Sequence, residues 1–179
     1  MSNLFKLLLY CFVLWGIAAC SGNDAIDEED EYDGPIVESH NVVTMVSDSA
    51  VIKLRIKGDR QLTFQNGDLE YPEGVYIEFY DEYSKITSTI TANRGYYTKS
   101  ENLYKVEEDV EVVNFQTGEK LNSEELFWNP RTEKVHTEKF VNITTQTKII
   151  KGVGLTANQD FSSYQIGKIT GEIYLEDEF

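Results

Sequence analysis

The sequence contains little cysteine, proline or positive charge. Its 179 residues include two cysteines, three prolines and two histidines, and 16 lysines and arginines stand against 31 aspartates and glutamates. The net charge of -15 argues against nucleic acid as a partner, because phosphate binding needs a basic surface. Cys11 and Cys20 both lie near the N-terminus, so the rest of the chain cannot form a disulfide and must be held by its core.

The N-terminal segment has the composition of an export signal. Residues 1–19 hold one charge, Lys6, followed by an apolar run that is shorter than the roughly 20 residues needed to span a bilayer. The run ends in Ile-Ala-Ala-Cys, which resembles the lipobox of bacterial lipoproteins. The sequence therefore predicts a cleaved lipoprotein signal peptide over residues 1–19 and a lipid on Cys20. An uncleaved membrane anchor is the alternative.

An acidic stretch follows the signal. Residues 24–33 contain seven acids and no base, so they repel one another and cannot bury apolar area. The spacing of the acids does not match a calcium-binding loop. We therefore predict a disordered tether over residues 20–39.

From residue 40 onward the apolar residues recur every second position, which is the period of a half-buried strand. Three segments rich in Val, Ile, Thr and Tyr show it clearly: 50–58, 74–81 and 86–92. Turn-forming pairs separate the strands: Asn-Gly at 66–67, Thr-Gly at 117–118 and Asn-Pro at 129–130. The sequence predicts one all-β domain of short antiparallel strands over residues 40–179.

One pattern occurs three times within this domain. Residues 90–97 read ITANRGYY, residues 121–128 read LNSEELFW, and residues 155–161 read LTANQDF. Copies of one pattern that recur at similar intervals along a chain are typical of stacked architectures. We interpret each copy as a strand that ends in a small residue, a polar turn, and an aromatic residue that opens the next strand. Such copies would add hairpins to a common stack with an unpaired strand at each end.

Catalytic and metal-binding motifs are missing from the sequence. His40 and His136 are the only histidines, and no nucleophile elbow, phosphate loop or metal-spaced His/Cys set occurs. The adjacent glutamates at 107–108 and 124–125 would point to opposite faces of a strand, so neither pair converges as a glycosidase requires. The sequence predicts no enzyme activity, no metal site and no cofactor.

Taken together, these motifs resemble the LptC family, the periplasmic, inner-membrane-tethered component of the lipopolysaccharide-export machinery. The resemblance rests on Gly-Val-Tyr-Ile-Glu-Phe-Tyr-Asp at 74–81, the Thr-Ala-x-x-Gly-Tyr-Tyr pattern, Phe-Trp-Asn at 127–129 and the N-terminal anchor. It covers roughly residues 40–175 and extends to the group that shares the repeat, including LptA. Many relatives keep a transmembrane helix where this chain is predicted to be cleaved at Cys20.

The resemblance implies a fold, a ligand and partners. The fold would be a twisted, boat-shaped antiparallel β-jellyroll whose two sheets hold the acyl chains of lipid A. The partners would be the inner-membrane Lpt ABC transporter, which supplies lipopolysaccharide, and an LptA-like periplasmic jellyroll, which receives it. The protein would lie on the periplasmic side of the inner membrane, attached through its lipid anchor.

The apolar faces of the predicted strands supply the candidate lipid-binding trough. Its residues are Ile52, Leu54, Val75, Ile77, Phe79, Ile90, Ala92, Val110, Val112, Val141, Ile143, Leu155 and Ala157. Alternating strands more commonly build an ordinary closed sandwich. The alternative function is therefore an exported lipoprotein scaffold that binds other proteins and has a closed core.

Two further surfaces are candidates for contact with partners. Lys53, Arg55 and Lys57, with Arg60 nearby, form a basic stripe that would meet lipid A phosphates or an acidic partner, or would be the solvated face of an edge strand. The last strand would offer an unpaired edge for strand addition by the receiving jellyroll. Its predicted partner-edge residues are Ile169, Gly171 and Ile173, and the strand of the basic stripe would be the opposite, transporter-facing edge.

Overall fold

A computed structural model describes residues 32–48 and 51–175, and this part of the chain contains strands and no helix. Eleven antiparallel strands form one sheet with a jellyroll-like β fold, so the predicted fold class is confirmed. The strands are β1 (Val37–Asp48), β2 (Val51–Thr63), β3 (Leu69–Tyr71), β4 (Val75–Tyr80), β5 (Ile86–Ala92), β6 (Arg94–Thr98), β7 (Leu103–Asn114), β8 (Lys120–Asn129), β9 (Lys134–Thr144), β10 (Lys148–Asn158) and β11 (Tyr164–Tyr174).

The strand boundaries agree with the turn signals but correct two predictions. All three turn-forming pairs connect strands, and Gly67 and Gly118 adopt the positive φ that such turns require. The strands are mostly long rather than short, because segments separated by a bulge belong to one strand. β1 begins at Val37, which pairs with Thr63, so the end of the predicted tether is ordered. Glu38, which falls within the predicted tether, forms an ion pair with Arg60 of β2.

Six strands form a closed circuit, because two long strands, β2 and β7, each pair with two different strands along their length. In β2, residues 54–57 pair with β4 and residues 62–63 pair with β3. In β7, residues 111–114 pair with β5 and residues 103–107 pair with β6. Because β4 also pairs with β5, and β3 with β6, the circuit is β2–β4–β5–β7–β6–β3. We call the β4–β5 side of the circuit arm A and the β3–β6 side arm B.

Strands β8, β9 and β10 extend both arms, because each of them, like β7, changes register within its length. β7 bulges at Glu108 and Asp109, whose φ angles are positive, and the pairing of β8 with β9 shifts between Ser123 and Phe127. β10 shifts at Gly154, which has a φ of 76°. A bulge bends a strand and increases its twist. The strands β7 to β10 therefore each contribute one half to arm A and one half to arm B.

Two of the three repeated patterns lie at strand ends, as predicted, and the other does not. In the first copy β5 ends at the small residue Ala92, and β6 begins after Asn93. In the third copy β10 ends one residue after Ala157, and a polar loop leads into β11, although Phe161 lies in that loop and does not open the strand. The second copy lies within β8, which changes register after Ser123 without ending, so the interpretation of this copy is wrong.

Candidate functional site

A row of aliphatic side chains crosses the interior of arm A. Each residue is the direct pairing partner of the next, and in antiparallel strands such partners have Cβ atoms only about 4.5–5.5 Å apart. All members are buried. The row passes through seven strands, from β2 to β10: Ile56, Ile77, Ile90, Val112, Leu121, Ile143 and Ile150. It therefore forms a continuous apolar strip that runs across the strands.

Arm B presents a second row, which is mainly aromatic. Tyr97 packs against Tyr104 with ring centroids 4.5 Å apart, and Tyr104 packs against Trp128 at 4.8 Å. Trp128 meets Phe79 of arm A edge to face at 5.4 Å. Burial raises the pKa of the Tyr104 phenol, so this hydroxyl stays neutral. The contact between Phe79 and Trp128 shows that the interior surfaces of the two arms pack directly on each other.

The predicted trough residues lie together in this interior. All are buried except Ile52, which is half-buried near the start of β2. The set missed Ile56, although it continues the alternation of Leu54, and it missed arm B residues such as Val106 and Leu126. Arm B was harder to recognise because its strands β3 and β6 are short and mix tyrosine with charged residues. Opening of this interior to lipid stays a prediction.

A solvent-open cleft lies where the ends of arm A approach the β8–β9 turn. Its volume is about 420 Å³. We call it the rim cleft; its lining includes Phe79, Thr87, Gln116, Glu133, Gln159 and Asp160. Most of these side chains are polar, so the rim cleft differs from the apolar strip beside it. Phe79 lines the cleft and also packs in the core, where it meets Trp128.

The basic stripe is largely neutralised by acids of the same chain. Arg55 and Lys57 both contact Glu78 of β4, and the Arg55 contact is a short hydrogen bond. The hydrogen bond from Arg55 lowers the pKa of Glu78, which is almost fully buried. Arg60 binds Glu38 at 2.8 Å. Two of the stripe's cations and the nearby arginine are thus engaged within the protein.

The stripe also does not lie at an edge, which corrects both the transporter-facing edge and the edge-strand alternative. β2 pairs with β1 on one side and with β4 and β3 on the other. The sequence did not reveal that β1 covers this side of β2. Only Ser49 and Ala50 separate the two strands, so along the chain the apolar residues of β1 continue into those of β2. β1 is the strand at this end of the sheet.

The opposite end of the sheet is β11, which pairs only with β10 among the described strands. Ile169 and Ile173 are 56% and 48% exposed. Gly171 is half-buried, and a Cβ atom added there would meet nothing within 4 Å. The predicted partner-edge residues therefore lie on a terminal strand with apolar side chains in solvent. Docking of a partner at this edge stays a prediction.

The histidines do not converge with other ligating groups. His40 contacts Glu38 on β1, and His136 stacks on Phe127 with centroids 5.3 Å apart. Within residues 32–48 and 51–175, no cluster of three His, Cys, Asp or Glu side chains is placed to hold a metal ion.

Cys20 and residues 1–19 lie outside the described residues, as do the last acids, Glu176 to Glu178. The predicted lipidation and signal peptide therefore stay predictions. In the part of the chain that the structure describes, no helix has the length and apolar character needed to cross a membrane.

Comparison with known proteins returned one family. The model of the family described as lipopolysaccharide-assembly, LptC-related, matches residues 4–167. This match spans the arms, the apolar strip and the first four residues of β11, and it confirms the resemblance drawn from the motifs. No curated protein matches the chain.

Proposed function

Because the chain belongs to the LptC-related family, we propose that its interior binds the acyl chains of lipopolysaccharide and passes the lipid to a periplasmic jellyroll partner. Members of this family are transport components, so the chain has a role in lipopolysaccharide transport together with the Lpt machinery. It takes a periplasmic position associated with the inner membrane. The proposal adds the binding surface and the direction of transfer.

The apolar strip carries the proposal. It runs across seven strands without a polar interruption, so hydrocarbon in contact with it would meet apolar side chains along its whole length. Transfer of hydrocarbon from water to such a surface is favourable by about 0.8 kcal/mol per CH₂ group. A lipid with several acyl chains needs a long surface of this kind and no catalytic group.

The two ends of the sheet suggest how the lipid would enter and leave. β1 and β11 are both terminal strands, and each exposes apolar side chains, among them Met45 on β1 and Ile173 on β11. Unpaired edges accept strands from partners. We infer that β1 faces the inner-membrane transporter and that β11 adds to the receiving jellyroll. The apolar strip would then continue from one protein into the next.

A closed scaffold that binds other proteins is the second candidate, and the burial of the interior favours it. In the described structure the arms are in contact, and the row residues have almost no exposed surface. Lipid binding therefore requires the arms or a connecting loop to move, whereas a scaffold requires no such change. Lipid labelling from inside the domain separates the two functions.

Site-specific photocrosslinking in cells provides that test. A photoreactive amino acid at Ile90 would lie in the apolar strip, whereas at the neighbouring Thr91 it would lie on the exposed side of β5. We expect an adduct detected by antibody to lipopolysaccharide from Ile90 and none from Thr91. Similar amounts of adduct from Ile90 and Thr91 would support the scaffold instead. The same conclusion would follow if neither Ile90 nor Leu121, another residue of the apolar strip, gave an adduct.

The anchor is tested separately. If Cys20 is acylated after cleavage, Cys20→Ala should leave a longer precursor that incorporates no labelled fatty acid. Gel mobility and metabolic labelling with a fatty acid report the two changes. A mutant of wild-type size would rule out processing at Cys20.

A further inference from the structure

The loop between β10 and β11 separates the rim cleft from the apolar strip. Gln159 and Asp160 line the cleft. Phe161 lies on the other side, where it borders a gap of only about 10 Å³ together with Val112 and Leu121 of the strip. We call residues 159–163 the plug loop. Its displacement would connect the solvent-filled cleft with the strip.

Side chains hold the plug loop to the rest of the domain. The hydroxyl of Ser88 donates to the Gln159 carbonyl at 3.3 Å, and the Asn114 amide donates to the Phe161 carbonyl at 3.0 Å. The Trp128 indole N–H donates to the Gln159 side chain at 3.1 Å. One backbone bond joins the loop to another segment, from the Gln159 N–H to the Glu133 carbonyl at 2.9 Å. The loop is therefore attached without a strand ladder.

Two of these donors are unusual for their position. Ser88 and Asn114 pair directly with each other across β5 and β7, and Ser88 is also paired with Phe79. Both polar side chains are buried, next to the row of aliphatic residues. Asn114 also caps the turn after β7, because its Oδ1 accepts hydrogen bonds from the Gln116 and Thr117 N–H groups, whereas the Ser88 hydroxyl donates to the plug loop. Polar residues suit a site that exchanges its protein partner for water when the loop leaves.

The backbone conformation of Phe161 is unfavourable for a residue with a large side chain. The ring is buried against the strip, yet the backbone has a φ of 54°, which is uncommon for a residue with a large side chain. Such a conformation persists only where the surroundings hold it. Loss of the bonds from Ser88 and Asn114 would remove part of that hold.

We propose that the plug loop is displaceable and that Phe161 covers the middle of the apolar strip, beside Val112 and Leu121, until an acyl chain of lipid A takes its place. This inference rests on the proposed lipid-binding function and adds the point of entry. The rim cleft would admit the chain, and water would replace the loop carbonyls on Ser88 and Asn114.

Hydrogen exchange on the full-length protein tests displacement directly. Purified lipid A in detergent micelles is the probe, and micelles without lipid A are the control. We expect the amides of Gln159 and Phe161, which are bonded to Glu133 and Asn158, to exchange faster with lipid A bound. Amides of the strip strands should exchange more slowly. Stronger protection of the plug loop in the complex would overturn the proposal.

A pair of variants tests the hold on the loop. Ser88→Ala removes one bond to the plug loop, and we expect lipid A to enter roughly fivefold faster, which corresponds to about 1 kcal/mol, the typical net value of one hydrogen bond. Thr137→Val is the matched control, because its buried hydroxyl bonds within β9, to the Lys139 N–H. This control should leave the uptake rate unchanged.

The outcomes separate a failure of the plug from a failure of lipid binding. If the wild-type protein takes up no lipid A, the proposed lipid-binding function fails and the plug fails with it. If the wild type binds lipid A but Ser88→Ala takes it up at the wild-type rate, the plug is wrong and lipid binding stands.

Discussion

β4 and β11 share the alternation of a half-buried strand but differ in what surrounds them. β4 lies between β2 and β5, and its inward residues Val75, Ile77 and Phe79 are buried. β11 pairs with β10 alone, and Ile169 and Ile173 are about half exposed. Alternation therefore identifies the strands, while the number of neighbouring strands and the facing layer decide whether the apolar side is covered. The uncovered strand is the one available to a partner.

Their acidic residues show the same contrast. Glu78 of β4 is 5% exposed and binds Arg55 and Lys57. Glu172 of β11 is 32% exposed and binds Lys148 at 3.0 Å. Solvent screens the second pair much more than the first. The two strands thus offer matched sites at which the effect of burial can be measured.

The largest expected effect comes from placing a charge in the covered strand. Ile77→Asp would bury a carboxylate beside Ile56 and Ile90 with no cation, which costs several kcal/mol. We expect this variant to be unfolded or severely destabilised. Ile173→Asp should change the free energy of unfolding by no more than about 0.5 kcal/mol. Chemical denaturation followed by circular dichroism measures both.

The comparison would fail if the two aspartates had similar effects. A stable Ile77→Asp protein would show that water reaches the strip without a conformational change. That result would favour a permanently open trough over the closed interior described here.

A smaller effect is expected from removing the buried carboxylate charge. Glu78→Gln leaves Arg55 and Lys57 without their acid and should cost about 1–3 kcal/mol. Glu172→Gln, at the exposed pair, should cost about 0–1 kcal/mol. Equal losses in the two unfolding experiments would mean that burial does not strengthen the Glu78 interactions.

The ion pair between Arg55 and Glu78 predicts that the stability of the protein depends on pH. The hydrogen bond from Arg55 lowers the pKa of Glu78 in the folded protein. Its stabilisation is therefore complete above the unfolded-state pKa of about 4.3 and is lost as the pH falls through the lower folded-state value. Wild-type stability should fall in this acidic range, and Glu78→Gln should show a shallower fall. Parallel curves for the two proteins would contradict this assignment.

The smallest effect on stability is expected at the free edge. Gly171→Pro removes one backbone donor from β11 and should disturb strand addition while the core stays folded. Gly171→Ala is the matched control, since a Cβ atom there has open space. Pulldown of the receiving jellyroll should fail with proline and succeed with alanine, with circular dichroism confirming both folds. Undiminished binding by the proline variant would exclude docking at this edge.

Local patterns in the sequence predicted much of the fold. The turn pairs such as Asn66-Gly67 lie between strands, and the alternation placed Ile77, Ile90 and Ile143 on the interior face. These predictions succeed because turn geometry and side-chain direction depend on neighbouring residues. The repeated patterns were informative at Asn93 and Ala157, where a strand ends, and misleading at Ser123, which lies within β8.

The amino-acid sequence by itself determined the all-β class, the turns and the family. Tertiary structure alone decided which strand is an edge, that Glu78 binds both Arg55 and Lys57, and that Phe161 lies against the middle of the apolar strip. The physical reason is the range of the interactions. Alternation and turns are encoded by adjacent residues, whereas pairing partners and covering loops bring together residues such as Ser88 and Gln159, which lie 71 positions apart.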